Sequence, residues 1–188
     1  MKKKAVLLGD SIRLMGYGKR AAELLADEYT VFQPNENCRY VKFTLRLLFD
    51  LREEIAGADV IHWNNGLWDT YDPFREGRLF SSVEEYTENI LRVAERLQTI
   101  TPNVIFATTT PVRADTEWWY DRNGAICRYN EAVVPELKKR GILINDLHSL
   151  VEPHATEYIC EKDWVHLTPA GSEACARQVA EAVRLAGK

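Results

Sequence analysis

Short apolar runs rich in β-branched residues alternate along the chain with longer segments in which apolar residues return every three or four positions. A run that is apolar on both faces suits a strand buried between two layers, and a segment with the helical period suits the crossover that covers it. The runs predict strands at Lys4–Leu8, Thr30–Gln33, Val60–Trp63, Val104–Ala107 and Ile142–Asn145. The periodic segments predict helices at Lys19–Glu28, Phe43–Ala56, Val83–Gln98, Ala125–Arg140 and Pro169–Leu185. In the third of these, Val83, Tyr86, Ile90, Val93 and Leu97 make one stripe and leave Glu84, Glu85, Glu88, Arg92 and Glu95 to solvent. Together the βα units predict an α/β fold with three layers, α/β/α, around a five-stranded parallel sheet. The longest handovers, Asn64–Ser82 and Thr108–Asn123, follow the third and fourth strands. Open parallel sheets bind ligands beyond the carboxyl ends of their strands, so these loops are the first place to seek a site.

A chain of 188 residues fits a single domain, 1–188, since domains run to roughly 150 residues. Lys and Arg number 24 against 28 Asp and Glu, and no basic stretch extends beyond Lys2–Lys4. That balance speaks against a nucleic-acid or anionic-membrane surface and for a small-molecule partner. The lysines followed by Ala5–Leu8 have the outline of a secretory leader, but the apolar run stops at Gly9-Asp10 and reads as a strand. No window reaches the roughly 18–20 apolar residues of a transmembrane helix, so the expectation is a cytoplasmic protein without membrane insertion. Cys38, Cys127, Cys160 and Cys175 are widely spaced, with no CxxC pair and no Cys/His cluster at zinc spacing. Free thiols and no metal are expected. His148 and His154 flank Glu152 without a further ligand pattern, and His62 lies inside an apolar strand as a core histidine would.

Candidate chemistry sits near both ends. Leu8-Gly9-Asp10-Ser11 places a serine on the turn that leaves the first strand, where Oγ is exposed and nearby N–H groups can face an oxyanion. The same residues would also serve an ordinary turn in which Asp10 or Ser11 caps a helix. Thr168-Pro169 reads as an N-cap with proline at the first helical position, which leaves Asp163 and His166 in the preceding loop. At that spacing a carboxylate can fold back on Nδ1 of the imidazole and free Nε2 to take a proton from a serine. A histidine that only packs against the turn is the plainer alternative.

Gly9-Asp10-Ser11-Ile12 and Asp163-x-x-His166 followed by Leu-Thr-x-Ala-Gly resemble the first and last blocks of the SGNH hydrolases, also called the GDSL esterase/lipase family. The intervening order fits as well: Thr108-Thr109-Thr110-Pro111-Val112 after a strand, Tyr129-Asn130 in a helix, then Ile142–Asp146. The resemblance implies a flavodoxin-like three-layer fold, the SGNH hydrolase fold, and a cofactor-free serine esterase site. It assigns Ser11 as nucleophile, His166 as base and Asp163 as the acid that orients it.

Two positions depart from the family pattern. Where the second block offers a glycine N–H to the oxyanion, this chain has Cys38, whose backbone N–H can serve equally. The third block, usually Gly-x-Asn-Asp, reads Gly66-Leu67-Trp68-Asp69, and Trp68 cannot donate as an amide does. Asn64 and Asn65 are the available substitutes, and the expectation is Asn65, giving an oxyanion hole of Ser11, Cys38 and Asn65.

Aromatic residues crowd the loops: Trp63, Trp68, Tyr71 and Phe74, then Trp118, Trp119 and Tyr120, then Trp164. Flat rings beside a polar site suit a sugar face or a short acyl chain. Arg113 and Arg122 flank the second cluster, where they could meet an anionic substrate, but solvated surface charge is the plainer reading. The expected function is a serine esterase acting through an acyl-enzyme on a short-chain, O-acetyl ester of a carbohydrate or similar small molecule. A lysophospholipase or thioesterase on the same triad is the enzymatic rival. A non-catalytic flavodoxin-like binding protein is the other, although no GxGxxG or GxxxxGK[ST] follows a strand.

Overall fold

Ala5–Leu8 is apolar at successive positions and forms the buried centre of β1 (Lys3–Leu8), whose alternate residues feed two cores. Ala5 and Leu7 face one side of the sheet, Val6 and Leu8 the other. The computed structural model of the chain describes residues 2–188. β2 (Tyr29–Phe32), β3 (Val60–Asn64), β4 (Val104–Ala107) and β5 (Leu143–Asn145) complete a parallel five-stranded sheet in the order β2-β1-β3-β4-β5. One face carries α1 (Gly18–Leu25) and α8 (Pro169–Ala186), which bury Leu25, Val179 and Val183 over Leu7, Val60 and Ile105. The other carries α2 (Val41–Asp50), α4 (Val83–Gln98) and α5 (Arg122–Lys139), with Ile90, Val93 and Val133 packed near Ile61, Trp63 and Phe106. Each fully buried aliphatic or aromatic side chain contributes about 1.5–3 kcal/mol. This is the α/β sandwich expected from the alternation.

The predicted stripe of α4 is buried at Tyr86, Ile90, Val93 and Leu97, and Ser82 and Glu85 cap it reciprocally. Other boundaries moved. The helix expected over Phe43–Ala56 breaks at Leu51 (φ −90°, ψ 9°) into α2 and a single-turn α3 (Arg52–Ile55). The helix expected at Lys19–Glu28 stops at Leu25, because Tyr29 already pairs with Lys3 in the sheet. Short pieces with too few turns to show a period were not predicted: a wide helical turn at Ile12–Tyr17, α6 (Leu147–Val151), a 3₁₀ turn at Glu152–His154 and α7 (Ala155–Tyr158). Trp63 is no loop aromatic; it lies within β3, fully buried and edge-on to Phe106 at 4.9 Å. His62 is a core histidine: its Nε2 accepts from Asn145 at 3.1 Å, Nδ1 has no partner, and burial pulls its pKa down to about 3. No helix among the described residues is long and apolar enough to cross a membrane.

Candidate active site

The chain leaves β1 toward β2 on one side and returns to β3 on the other, so a crevice opens between the carboxyl ends of β1 and β3. Ser11 stands at its floor, 7% exposed. The turn beneath it is held by buried polar groups. Asp10 Oδ1 accepts from the Ile12 N–H (2.9 Å) and from Asn64 Nδ2 (2.8 Å), and Asn64 Oδ1 accepts from Tyr17 OH (2.7 Å). Burial raises the Asp10 carboxyl above its ordinary range despite these bonds. Arg13, fully buried and unforeseen, donates to Pro34 O (2.9 Å) and Glu36 O (2.7 Å) and so ties the loop after β2 to this turn.

The loop before α8 approaches from the opposite end of the chain. Thr168 caps α8 through the Gly171 N–H (3.1 Å), with Pro169 in the first turn. A bridge between Ile159 and Leu167, with Cys160 N–H donating to His166 O (2.7 Å), closes the loop on itself. Inside it, Asp163 Oδ1 accepts from the backbone of Val165 (3.0 Å) and His166 (2.9 Å), while Oδ2 lies 3.0 Å from His166 Nδ1. A carboxylate only accepts, so Nδ1 carries the proton and Nε2 is left as acceptor, 2.9 Å from Ser11 Oγ. Burial alone would raise the Asp163 carboxyl; the two N–H bonds and the imidazole outweigh it and hold it below its ordinary range. Residues 155 positions apart thus form one continuous hydrogen-bonded chain.

Ser11, Asp163 and His166 line a cavity of about 510 Å³. Trp68, Tyr71, Trp118, Trp119 and Trp164 supply most of its walls, whereas Phe74 points away at 77% exposure and Tyr120 donates to Thr70 O (2.7 Å) behind it. Arg122 is not solvated surface charge. It is 5% exposed, its Nη2 donates to Leu67 O (3.2 Å), and its guanidinium lies over the rings of Trp118 (4.4 Å) and Tyr71 (4.8 Å). Its place as the first residue of α5, three positions ahead of the expected start, carries it under the loops. Arg113 pairs with Asp115.

Neither Cys38 nor Asn65 lines the cavity. The Cys38 N–H donates to Gly9 O (3.1 Å), so the hydrogen expected at the oxyanion is engaged in the turn, and Cys38 Sγ accepts from the Gly9 N–H (3.2 Å). Asn65 Nδ2 donates to Arg39 O (2.9 Å), which leaves one amide hydrogen. Asn37 does line the cavity; its Oδ1 accepts from the Arg39 N–H (2.8 Å), and its Nδ2 has no acceptor among the described residues. Sequence reasoning missed Asn37 because it lies in an irregular loop with no period. The Ile12 and Leu14 N–H groups are taken by Asp10, leaving that of Ser11 beside its own Oγ.

A cavity of similar size, about 530 Å³, opens beside α5 and β5, and there Cys127 Sγ lies 3.8 Å from His148 Nε2. Burial pushes that thiol up, the reverse of what an activated nucleophile needs. Among the described residues no group of three or more His, Cys, Asp or Glu is placed to hold a metal.

The open parallel α/β sheet has the fold of the SGNH hydrolases. Solved structures share it over nearly the whole chain. The acetyl xylan esterase AlAXEase superposes with a TM-score of 0.79 at 18% identity, covering 96% of this chain and 99% of that one. A lipase/acylhydrolase from Enterococcus faecalis gives 0.79 at 17%, covering 98% and 96%. A catalytic mutant of Axe2, an acetylxylan esterase from Geobacillus stearothermophilus, gives 0.78 at 16%, covering 97% and 95%. No family model and no curated protein matches the chain.

Proposed function

We propose that the protein is a serine ester hydrolase of the SGNH type that removes short acyl groups, O-acetyl above all, from a carbohydrate or similar small molecule. The observation that carries this reading is the Ser11–His166–Asp163 chain, at 2.9 and 3.0 Å, opening into an aromatic-walled cavity. His166 Nε2 takes the Ser11 proton as Oγ attacks the ester carbonyl, and Asp163 stabilises the imidazolium. The tetrahedral intermediate collapses, the alcohol leaves with that proton, and the acyl group stays on Ser11 until water, deprotonated by His166, releases it as the acid. The Ser11 N–H and a carboxamide, from Asn37 or Asn65, would meet the oxyanion. No step requires a metal or cofactor.

The short acyl preference is supported by the cavity, about 510 Å³ and lined by the rings of Trp68, Tyr71, Trp118, Trp119 and Trp164. The likeness to a lipase/acylhydrolase favours longer chains as the second reading. A series of p-nitrophenyl esters separates the two: turnover peaking at acetate supports the first, and turnover rising with chain length supports the second. A fluorophosphonate should label Ser11. Ser11→Ala should lower turnover by about 10³-fold or more with little change in Tm. Hydrolysis of p-nitrophenyl acetate by that variant at the parental rate would end the serine-hydrolase reading.

A further inference from the structure

Arg122 is more than the esterase chemistry needs. Its one protein acceptor is the Leu67 carbonyl; Nε is buried without a partner, and Nη1 has none among the described residues. A guanidinium keeps its charge and offers five donors. Trp118 and Tyr71 lie against it and bury Nε, and their ring faces together with one carbonyl leave most of its N–H donors without a protein acceptor. A methionine would fill the same space without leaving donors unmet. An anion entering the cavity would supply the acceptors that the protein does not.

The guanidinium lines the same cavity as Ser11 and His166. Among the described residues the one carboxylate lining that cavity, Asp163, is engaged by His166 at 3.0 Å. We infer that the ester cleaved here carries a carboxylate, which Arg122 binds beside the nucleophile. The inference rests on the esterase reading and names the substrate class of that site. A carboxylate fits better than a phosphate monoester: among the described residues Arg122 is the only Lys or Arg lining the cavity, and a phosphate brings about −1.5 to −2 of charge. The fork of N–H donors also matches a carboxylate's two oxygens. The surrounding rings would hold the uncharged body of the same molecule.

Two pairs of esters test this with the full chain: 4-acetoxybenzoate against its methyl ester, and p-nitrophenyl hydrogen adipate against p-nitrophenyl hexanoate. The first pair puts the charge on the alcohol, the second on the acyl group. With rates corrected for reactivity toward hydroxide, the charged member of one pair should be preferred in kcat/KM by roughly 10- to 100-fold, the worth of a bond to a charged group. Arg122→Gln should erase that ratio and Arg122→Lys should keep part of it. Equal kcat/KM within both pairs, or a preference that survives Arg122→Gln, overturns the inference. Should the variants not fold, the parent protein decides: benzoate should inhibit competitively and benzamide should not, and equal inhibition by both overturns it. Cleavage of p-nitrophenyl acetate without any charge preference would leave the esterase reading standing. If no ester is cleaved, that reading fails, and Tm of the Ser11→Ala protein tests the carboxylate alone. A rise with 4-acetoxybenzoate but not with its methyl ester supports the carboxylate; no difference overturns it.

Discussion

The side chains around Ser11 divide into those that face the cavity and those that hold the turns in place, and single substitutions should separate the two. Asn64 belongs to the second set, since both ends of its amide are engaged by Tyr17 and Asp10. Asn64→Ala should destabilise by about 1–3 kcal/mol for the buried Tyr17 hydroxyl it orphans, read as a lower urea midpoint. Asn37 lines the cavity with a free Nδ2, and Asn65 keeps one hydrogen beyond that given to Arg39. Removing the donor that meets the oxyanion should cost about 10²–10³ in kcat with KM nearly unchanged. Because Asn37 faces the cavity, Asn37→Ala is expected to show that signature; the same loss in Asn65→Ala alone would return the role to Asn65. Asp69 carries a pH dependence. Burial pushes its carboxyl up to about 7 against bonds from Ser81 Oγ (2.7 Å) and the Val41 N–H (3.1 Å). With the folded pKa above the ordinary 3.8, its stabilising contribution is full below that value and is lost as pH rises through about 7. The gap corresponds to at most about 4 kcal/mol. The parent should lose more of its urea midpoint between about pH 5 and pH 8 than Asp69→Asn, whose carboxamide keeps one acceptor oxygen and does not titrate; equal losses would reject this.

Among the elements, the strand ends decide the geometry. β3 runs straight to Asn64, and Gly66 then turns the chain at φ 146°, a conformation that side-chain-bearing residues rarely adopt. A Cβ there would meet Thr109 Oγ1 at 2.0 Å, and that hydroxyl is already donating to Asn65 O (2.9 Å). Asn130 of α5 clamps the same segment through the Thr109 N–H (2.9 Å) and O (3.0 Å), so the loops after β3 and β4 are fastened to each other. Gly66→Ala should therefore cost more than the about 1–3 kcal/mol of backbone strain and lower kcat together with stability. A variant with parental Tm and kcat would show that the loop yields. The strands and long helices were legible because burial on one or both faces imposes a period. The wide turn after Ser11 and the single-turn helices between β5 and α8 were not, because a few residues fixed by tertiary contacts carry no period.

For the molecule as a whole, the proposed triad requires that the two ends of the chain be brought to one place. α8 packs along α1 on one face of the sheet and sets the loop bearing His166 over β1. Its first turn lies so close to the preceding segment that a Cβ on Gly171 would meet Tyr158 O at 2.3 Å. Gly171→Ala should push α8 and that loop apart, lowering both Tm and kcat; full activity at parental Tm would show that the loop is held elsewhere. The alternation of apolar runs and helical stripes determined the three-layer sheet, because burial of those residues has few other solutions. The end motifs put Ser11 on the turn after β1 and Asp163 and His166 in the loop before α8, since turn chemistry is local and Thr168-Pro169 marks a helix start wherever it occurs; the roles proposed for them came from the family resemblance. What surrounds those residues was decided only in three dimensions. Arg122 reads as a surface charge until the loops after β3 and β4 close over it, and Cys38 reads as a free donor until Gly9 O lies opposite its N–H. A sequence shows which residues carry charge or hydrogen; the packing of distant segments decides which of those groups water still reaches and which partners remain for a ligand.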